Sequence, residues 1–206
     1  FPDIPMLGEE MTEKEQLSII QSSSSFWCLD PLDGTSNFAS GIPFYSISLA
    51  LIENGQPLIG IVYDPSRDEC FTAAAGHGAT VNETRLDTSQ VAHNKLKPCS
   101  AIVDFKRLSA ELETKIAIGA PYSSQRSFGS VTLDWAWLAA GRGQVYLHGK
   151  QKLGVDAASW LILGEAGGLS SSLEGDPAGD AELTPRSAVA AATPDLLRLW
   201  FDWLSG

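Results

Sequence analysis

Positive charge is scarce in this sequence. Its 206 residues carry 14 Lys and Arg against 25 Asp and Glu, a formal net charge of −11 with a pI near 4.6. That balance argues against nucleic-acid binding through a basic face. It also repels an anionic substrate, so a phosphate site here needs local positive charge, most simply a bound cation. Cysteine is sparse too. Cys28, Cys70 and Cys99 are odd in number and widely spaced, with no C-x-x-C pair, and read as reduced thiols of a cytoplasmic protein. No apolar run approaches the roughly 20 residues of a membrane span, and no signal peptide is visible. The chain starts at Phe1 without a Met, and so reads as a fragment or as a protein whose disordered first residues are missing. What is plentiful is apolar: 44% of residues are hydrophobic, enough for one sizeable core in a single domain or two closely packed halves.

The most informative stretch is residues 26–38. An apolar run at 26–29 has the length of a buried strand. It meets Asp30 and then Pro31, which has no N–H to continue a ladder, so the strand is expected to stop there. Asp33 follows, then Gly34 and the polar series Thr35, Ser36 and Asn37, suited to a helix start. Two carboxylates and exposed backbone groups therefore converge at the end of a rigid strand. Oxygen ligands of that kind suit hard cations, and N–H groups beyond Gly34 suit a phosphate. Asp33-Gly34 alone is ordinary turn punctuation. The full string D-P-L-D-G-T is far more specific.

That string resembles the central signature of the inositol monophosphatase family, within the wider lithium-sensitive, magnesium-dependent phosphatases. Two further matches occur in the right order. Gly8-Glu9-Glu10 is similar to the family's G-E-E motif, and residues 156–168, D-A-A-S-W-L-I-L-G-E-A-G-G, resemble its C-terminal signature. Without that context Glu9 and Glu10 read as solvated acids and Asp156 as an N-cap worth about 1 kcal/mol. Val155 stands where the family usually has Trp, a change that leaves the carboxylate in place.

Elsewhere the pattern is mixed. Residues 11–25, ending in four consecutive serines, read as a mobile surface loop. Residues 45–52, 57–63 and 69–74 read as strands of an antiparallel meander, with Asn54-Gly55 as a hairpin and Gly76-His77-Gly78 as its close. Residues 84–98 look like polar surface, and 100–103 like the opening of a second sheet. Helices are expected at 108–118, at 133–140 with a stripe of Leu133, Ala136, Trp137 and Ala140, at 155–166, and after the Thr193-Pro194 cap. Residues 144–148, 169–173 and 187–191 read as strands. There are no repeats and no linker, so residues 1–206 read as a single phosphatase-like domain, with a possible subdivision near 98–100.

The resemblance implies an α/β fold, the layered α-β-α-β-α sandwich shared with fructose-1,6-bisphosphatase, with the N-terminal helices missing from this chain. It implies Glu9, Asp30, Asp33, Asp156 and the Leu32 carbonyl as metal ligands. That all-oxygen set, free of His and Cys, favours Mg²⁺ over Zn²⁺, and four converging carboxylates themselves call for cations. Two or three Mg²⁺ ions and inhibition by Li⁺ are expected. Glu9 and Thr35 are the expected catalytic pair, orienting the attacking water. Asp33, Gly34, Thr35, Gly129, Ser130, His148 and Asp156 are the expected substrate contacts. One family feature is missing: the acid with which inositol phosphatases bind substrate hydroxyls falls on Gly149 or His148. His148, Lys150 and Lys152 then offer a more basic wall. The implied activity is hydrolysis of a small phosphate monoester (an inositol phosphate, sugar phosphate or nucleotide) by direct water attack. Fructose 1,6-bisphosphate and 3′(2′),5′-bisphosphate nucleotides are the alternatives, although Asn37-Phe38 resembles the inositol branch. Family members are commonly homodimers, and some relatives act as binding partners of the transcription machinery, so a non-catalytic interaction protein is the reading from a different class. Neither a nucleic-acid nor a membrane partner is expected.

Overall fold

Alternation builds the first sheet. Phe26, Cys28 and Asp30 are buried while Trp27 and Leu29 between them are half-exposed, the period-two pattern of a strand with one covered face. The computed structural model describes residues 3–91, 93–151, 156–176 and 185–206. Strand β1 (Met6–Gly8), helix α1 (Glu13–Ser22), strand β2 (Ser25–Asp33) and the short helix α2 (Thr35–Ala39) come first. Strands β3 (Ser46–Glu53), β4 (Gln56–Asp64), β5 (Glu69–Ala74), β6 (Gly78–Val81) and β7 (Thr84–Arg85) follow. They form a seven-stranded sheet in chain order, parallel only between β1 and β2. The β3–β4 hairpin turns on Asn54 and Gly55, at φ 51° and 80°, the backbone that a two-residue type I′ connection requires.

The second half alternates strand and helix: β8 (Ser100–Asp104), α3 (Ala110–Gly119), β9 (Ser124–Arg126), α4 (Val131–Ala139), β10 (Val145–Gln151), α5 (Ala157–Glu165), β11 (Leu169–Ser171), β12 (Arg186–Ala191) and α6 (Pro194–Ser205). Its sheet has the order β11-β12-β10-β8-β9, with β9, β8 and β10 mutually parallel. Helices α4 and α5 lie between the sheets, and the core there runs from Phe26, Ile52 and Val62 through Leu133, Trp135 and Ile162 to Tyr146 and Ala190. On the far side of the second sheet, Ile116 of α3 and Leu196, Trp200 and Leu204 of α6 pack against Val103, Val145, Leu147 and Val189. The described residues thus form a layered α/β structure of two sheets and six helices, as the resemblance implies. On the face of the first sheet turned away from α4 and α5, Leu49, Leu51, Ile59 and Ile61 stay half-exposed.

Several expectations need correction. Residues 13–22 are a helix, not a loop: Thr12 and Glu15 close a capping box, Thr12 N donating to Glu15 Oε2 at 2.9 Å, and Ile19 and Ile20 pack on the core. Strand β2 does not stop at Asp30 but runs through Pro31 to Asp33, because the ladder slips there and needs no N–H from the proline. Gly76–Gly78 is a turn within the first sheet, which continues through β6 and β7. Within the supposedly polar stretch at 84–98, Leu86 and Thr88 are buried. Strand β9 adds an edge to the second sheet where only a connection was expected. Helix α4 is buried almost all round rather than along one stripe.

Candidate active site

In a regular strand residues 30 and 33 would face opposite sides of the sheet. Here Asp30 pairs with Ser48 and Asp33 with Ser46, so three steps on β2 match two on β3, and this bulge turns both carboxylates to one face. Asp30 Oδ1 accepts from Leu32 N at 2.9 Å, which holds the bulge closed.

Asp33 is then clamped by the start of α4. Its Oδ2 accepts from Ser130 Oγ at 2.6 Å, Thr132 N at 2.8 Å and Thr132 Oγ1 at 2.8 Å. Because Thr132 donates its hydroxyl proton to Asp33, the 2.6 Å contact with Ser46 Oγ must be donated by Ser46. Ser130 is the N-cap of α4, yet its hydroxyl makes no capping bond and serves Asp33 instead. The start of α4 thus treats Asp33 as a bound anion.

Asp156 is buried at the start of α5, again without the side-chain capping bond that its position alone suggests. Burial pushes its carboxyl well above the usual range, and the charges of Asp33, Asp30 and Glu9 push the same way. The Gln151 amide opposes that shift. Its Oε1 is taken by Trp135 Nε1 and Tyr146 OH, which turns Nε2 to the acid. Burial also pushes Asp30 up to about 7, with Glu9 and Asp33 contributing and the Leu32 N–H opposing. Glu9 itself is exposed, one residue past β1, with its carboxyl in hydrogen-bond reach of Asp30. Glu10 beside it is exposed.

The four acids are therefore brought to one corner, and every charge named as acting on Asp30 and Asp156 is negative. Among the described residues no three acid, histidine or cysteine side chains converge tightly enough to enclose an ion as they stand. The donor set nevertheless fits a hard divalent cation, being all oxygen and in mutual repulsion. Ser48 Oγ, opposite Asp30, and Asp134 Oδ1 and Gln151 Nε2 are buried with no regular hydrogen-bond partner among the described residues. Asp134 is pushed well above the carboxylate range by burial and by Asp33 and Asp104.

The remaining candidates are placed unevenly. Thr35 is exposed and its Oγ1 donates to Leu32 O at 3.1 Å. Gly34 sits at φ 88°, and a Cβ there would stand 2.9 Å from Phe44 O, so only glycine lets the chain turn into α2. Asn37 Nδ2 donates to Phe44 O and Phe128 O, tying this turn to the segment that carries Gly129 and Ser130. Two expected substrate contacts are occupied internally. Ser130 Oγ is committed to Asp33, and the His148 ring is buried, with Nε2 at 3.5 Å from Asp104 Oδ2 and Nδ1 accepting from Lys150 N. His148 is therefore not an open wall of the site. Lys152 and Val155 lie outside the described residues. Ser46, Thr132, Asp134 and Gln151 were not singled out from sequence; the available signal was polar side chains within strongly apolar strands and helices.

The sequence model of the inositol monophosphatase family matches residues 1–200. The chain belongs to the inositol monophosphatase family. Among the relatives of this family member, "Nus factor SuhB" of Xylella fastidiosa is 36% identical over 181 residues, covering 85% of this chain but only 62% of its own length. A "fructose-1,6-bisphosphatase/inositol-1-monophosphatase" of Thermotoga maritima is 33% identical over 182 residues, 86% of this chain and 66% of its own. The chain thus spans under two thirds of the length of both. Among solved structures, inositol monophosphate bound SaIMPase-II superposes with a TM-score of 0.85 at 26% identity, over 100% of this chain and 78% of that one.

Proposed function

We propose that the full-length protein is a Mg²⁺-dependent phosphatase of small phosphate monoesters. The observation that supports this best is the gathering of Glu9, the Asp30–Asp33 pair and Asp156, from three separate parts of the chain, into a corner where they act on one another. These carboxylates, with the Leu32 carbonyl, would hold Mg²⁺. Bound Mg²⁺ neutralises phosphoryl oxygens and lowers the pKa of water. The chain's own residues do the rest. Glu9, the exposed acid, and the Thr35 hydroxyl orient the attacking water, and Glu9 takes its proton. N–H groups of Gly34 and Thr35, free of helical partners in the first turn of α2, hold the phosphate. Inositol phosphates, sugar phosphates and nucleotides are the substrate candidates. One phosphatase unit over residues 1–206, a homodimer, Li⁺ inhibition and a cytoplasmic setting belong to the same proposal.

A second reading has its own support: the Xylella relative carries the name of a Nus factor, so a protein-binding role on this fold competes with catalysis. Phosphate release from a panel of small esters, with and without Mg²⁺, separates the two. The Asp156→Asn variant of the full-length protein is expected to fold and to lose hydrolysis. Turnover undiminished in that variant contradicts the ligand assignment, and no release from any ester by the unaltered protein favours the binding role.

A further inference from the structure

Gly149 occupies the position, counted back from Asp156, where the resemblance puts the hydroxyl-binding acid of inositol phosphatases. No side chain fits there. A Cβ on Gly149 would stand 2.1 Å from Arg107 O and 2.7 Å from Leu108 N. The turn after β8 fills that volume, with Arg107 at φ 72°, a backbone that long side chains rarely adopt. Neighbouring groups hold the turn in place. Asp104 Oδ1 accepts from Lys106 N at 2.8 Å, and the Arg107 guanidinium donates to Lys150 O at 3.0 Å. A wall that is acidic in the inositol phosphatases is here a backbone turn presenting Lys106 and Arg107.

Two more cations share this edge. Strands β9, β8 and β10 are parallel, so Arg126 at the end of β9, the turn at 105–108 after β8 and Lys150 near the end of β10 all lie toward the strand C-termini, the usual ligand crevice of parallel strands. The acid corner opens on the same edge: Ser130, four residues past Arg126, donates to Asp33, and Gln151, next to Lys150, faces Asp156. All four cations are exposed, and none forms an ion pair with a carboxylate among the described residues. Arg126 spends only some of its donors, on Ser124 Oγ and Gln125 O. Asp104 attracts Lys106 at this edge, but its two oxygens already face Lys106 N and His148 Nε2, so the remaining positive charge, unusual in a chain of net charge −11, suits an added anion.

We infer that the substrate of this site carries a second anionic group, a carboxylate or another phosphate, held by Lys106, Arg107, Arg126 and Lys150 while the esterified phosphate sits at the acid corner. The inference rests on the phosphatase reading and narrows it. Matched esters test it on the full-length protein with Mg²⁺: glycerol 3-phosphate against 3-phosphoglycerate, and glucose 6-phosphate against glucose 1,6-bisphosphate. The two-anion member of at least one pair should have a KM about tenfold lower, the scale of one charge-assisted hydrogen bond. Lys106→Glu, Lys150→Glu and Arg107→Gly, which suits the positive φ, should each shrink that ratio. Equal KM values within both pairs, or a ratio that all three variants leave intact, overturns the inference. Should no ester be turned over, calorimetric binding of the same pairs in Ca²⁺ decides it. A two-anion preference that Lys106→Glu abolishes then upholds the cationic wall although the phosphatase reading has failed, and its absence refutes the wall.

Discussion

The acid corner and the cation edge lie side by side and are built in opposite ways. At the corner, Asp30 and Asp156 are buried side chains on strand and helix ends, and Asp33 is clamped by Ser130 and Thr132 at the start of α4, with Ser46 of β3 backing Thr132. At the edge the side chains are exposed, and what is held rigidly is the backbone beneath them: Gly149 against Arg107, and Asp104 against Lys106. The difference teaches a division of labour. Groups that must present charge at a set geometry are fixed by burial and hydrogen bonds, while groups that select among ligands ride on a turn that can change without disturbing the core. On the proposed reading the corner carries the reaction and the edge its substrate choice.

The comparison breaks most easily at Gly149. Gly149→Ala drives a Cβ into backbone atoms that cannot swing aside, so at least the usual 1–3 kcal/mol of overpacking is expected, about 3 kcal/mol or more. Denaturant midpoints measure it directly. A variant as stable as its parent means that the 105–108 turn adapts freely, and the edge is then no rigid platform. The corresponding cut at the corner is Thr132→Val, which keeps the shape but removes the hydroxyl between Ser46 and Asp33. A buried donor and acceptor lose their partners, worth about 1–3 kcal/mol. Mg²⁺ affinity should weaken with it, and Thr132→Ser should restore both. Unchanged stability and Mg²⁺ affinity would remove the clamp from the account.

These two sites also mark what was legible in the sequence. The strand ending in two acids, the meander, the second sheet and the last helices follow from alternation, Asn54-Gly55 and the caps, all local signals. Helix α1 was legible in principle, since Thr12 and Glu15 are spaced as a capping box, but four serines at its end outweighed that cue. The bulge at Pro31 was not, because whether a strand ends or slips depends on its partner's register. Neither Ser46 with Thr132, 86 residues apart, nor Gly149 under Arg107 leaves a local trace, as each meeting exists only once the two sheets are stacked.

The smallest effect compares the two regions by charge. In metal-free protein the folded Asp30 keeps its proton up to about pH 7, against an ordinary value of 3.8. Folding therefore favours the protonated acid, so the associated stability is complete below about pH 4 and is lost as pH rises through about 7. The melting temperature of chelator-treated protein is expected to fall between pH 5 and pH 8. Mg²⁺ should reverse that fall, because a cation among the acids favours their ionised forms. Solvent screening discounts the effect, because the exposed Glu9 opens the corner to water. The edge has no buried acid of this kind among its four cations: Lys106, Arg107, Arg126 and Lys150 are exposed side chains. Charge reversal at Lys106 should leave the pH dependence of melting where it was, whereas Asp30→Asn should reduce it, Asp156 and Asp134 being raised as well. A slope left unchanged by both Asp30→Asn and Asp156→Asn would move the titrating group away from the corner and take the electrostatic case for a metal there with it.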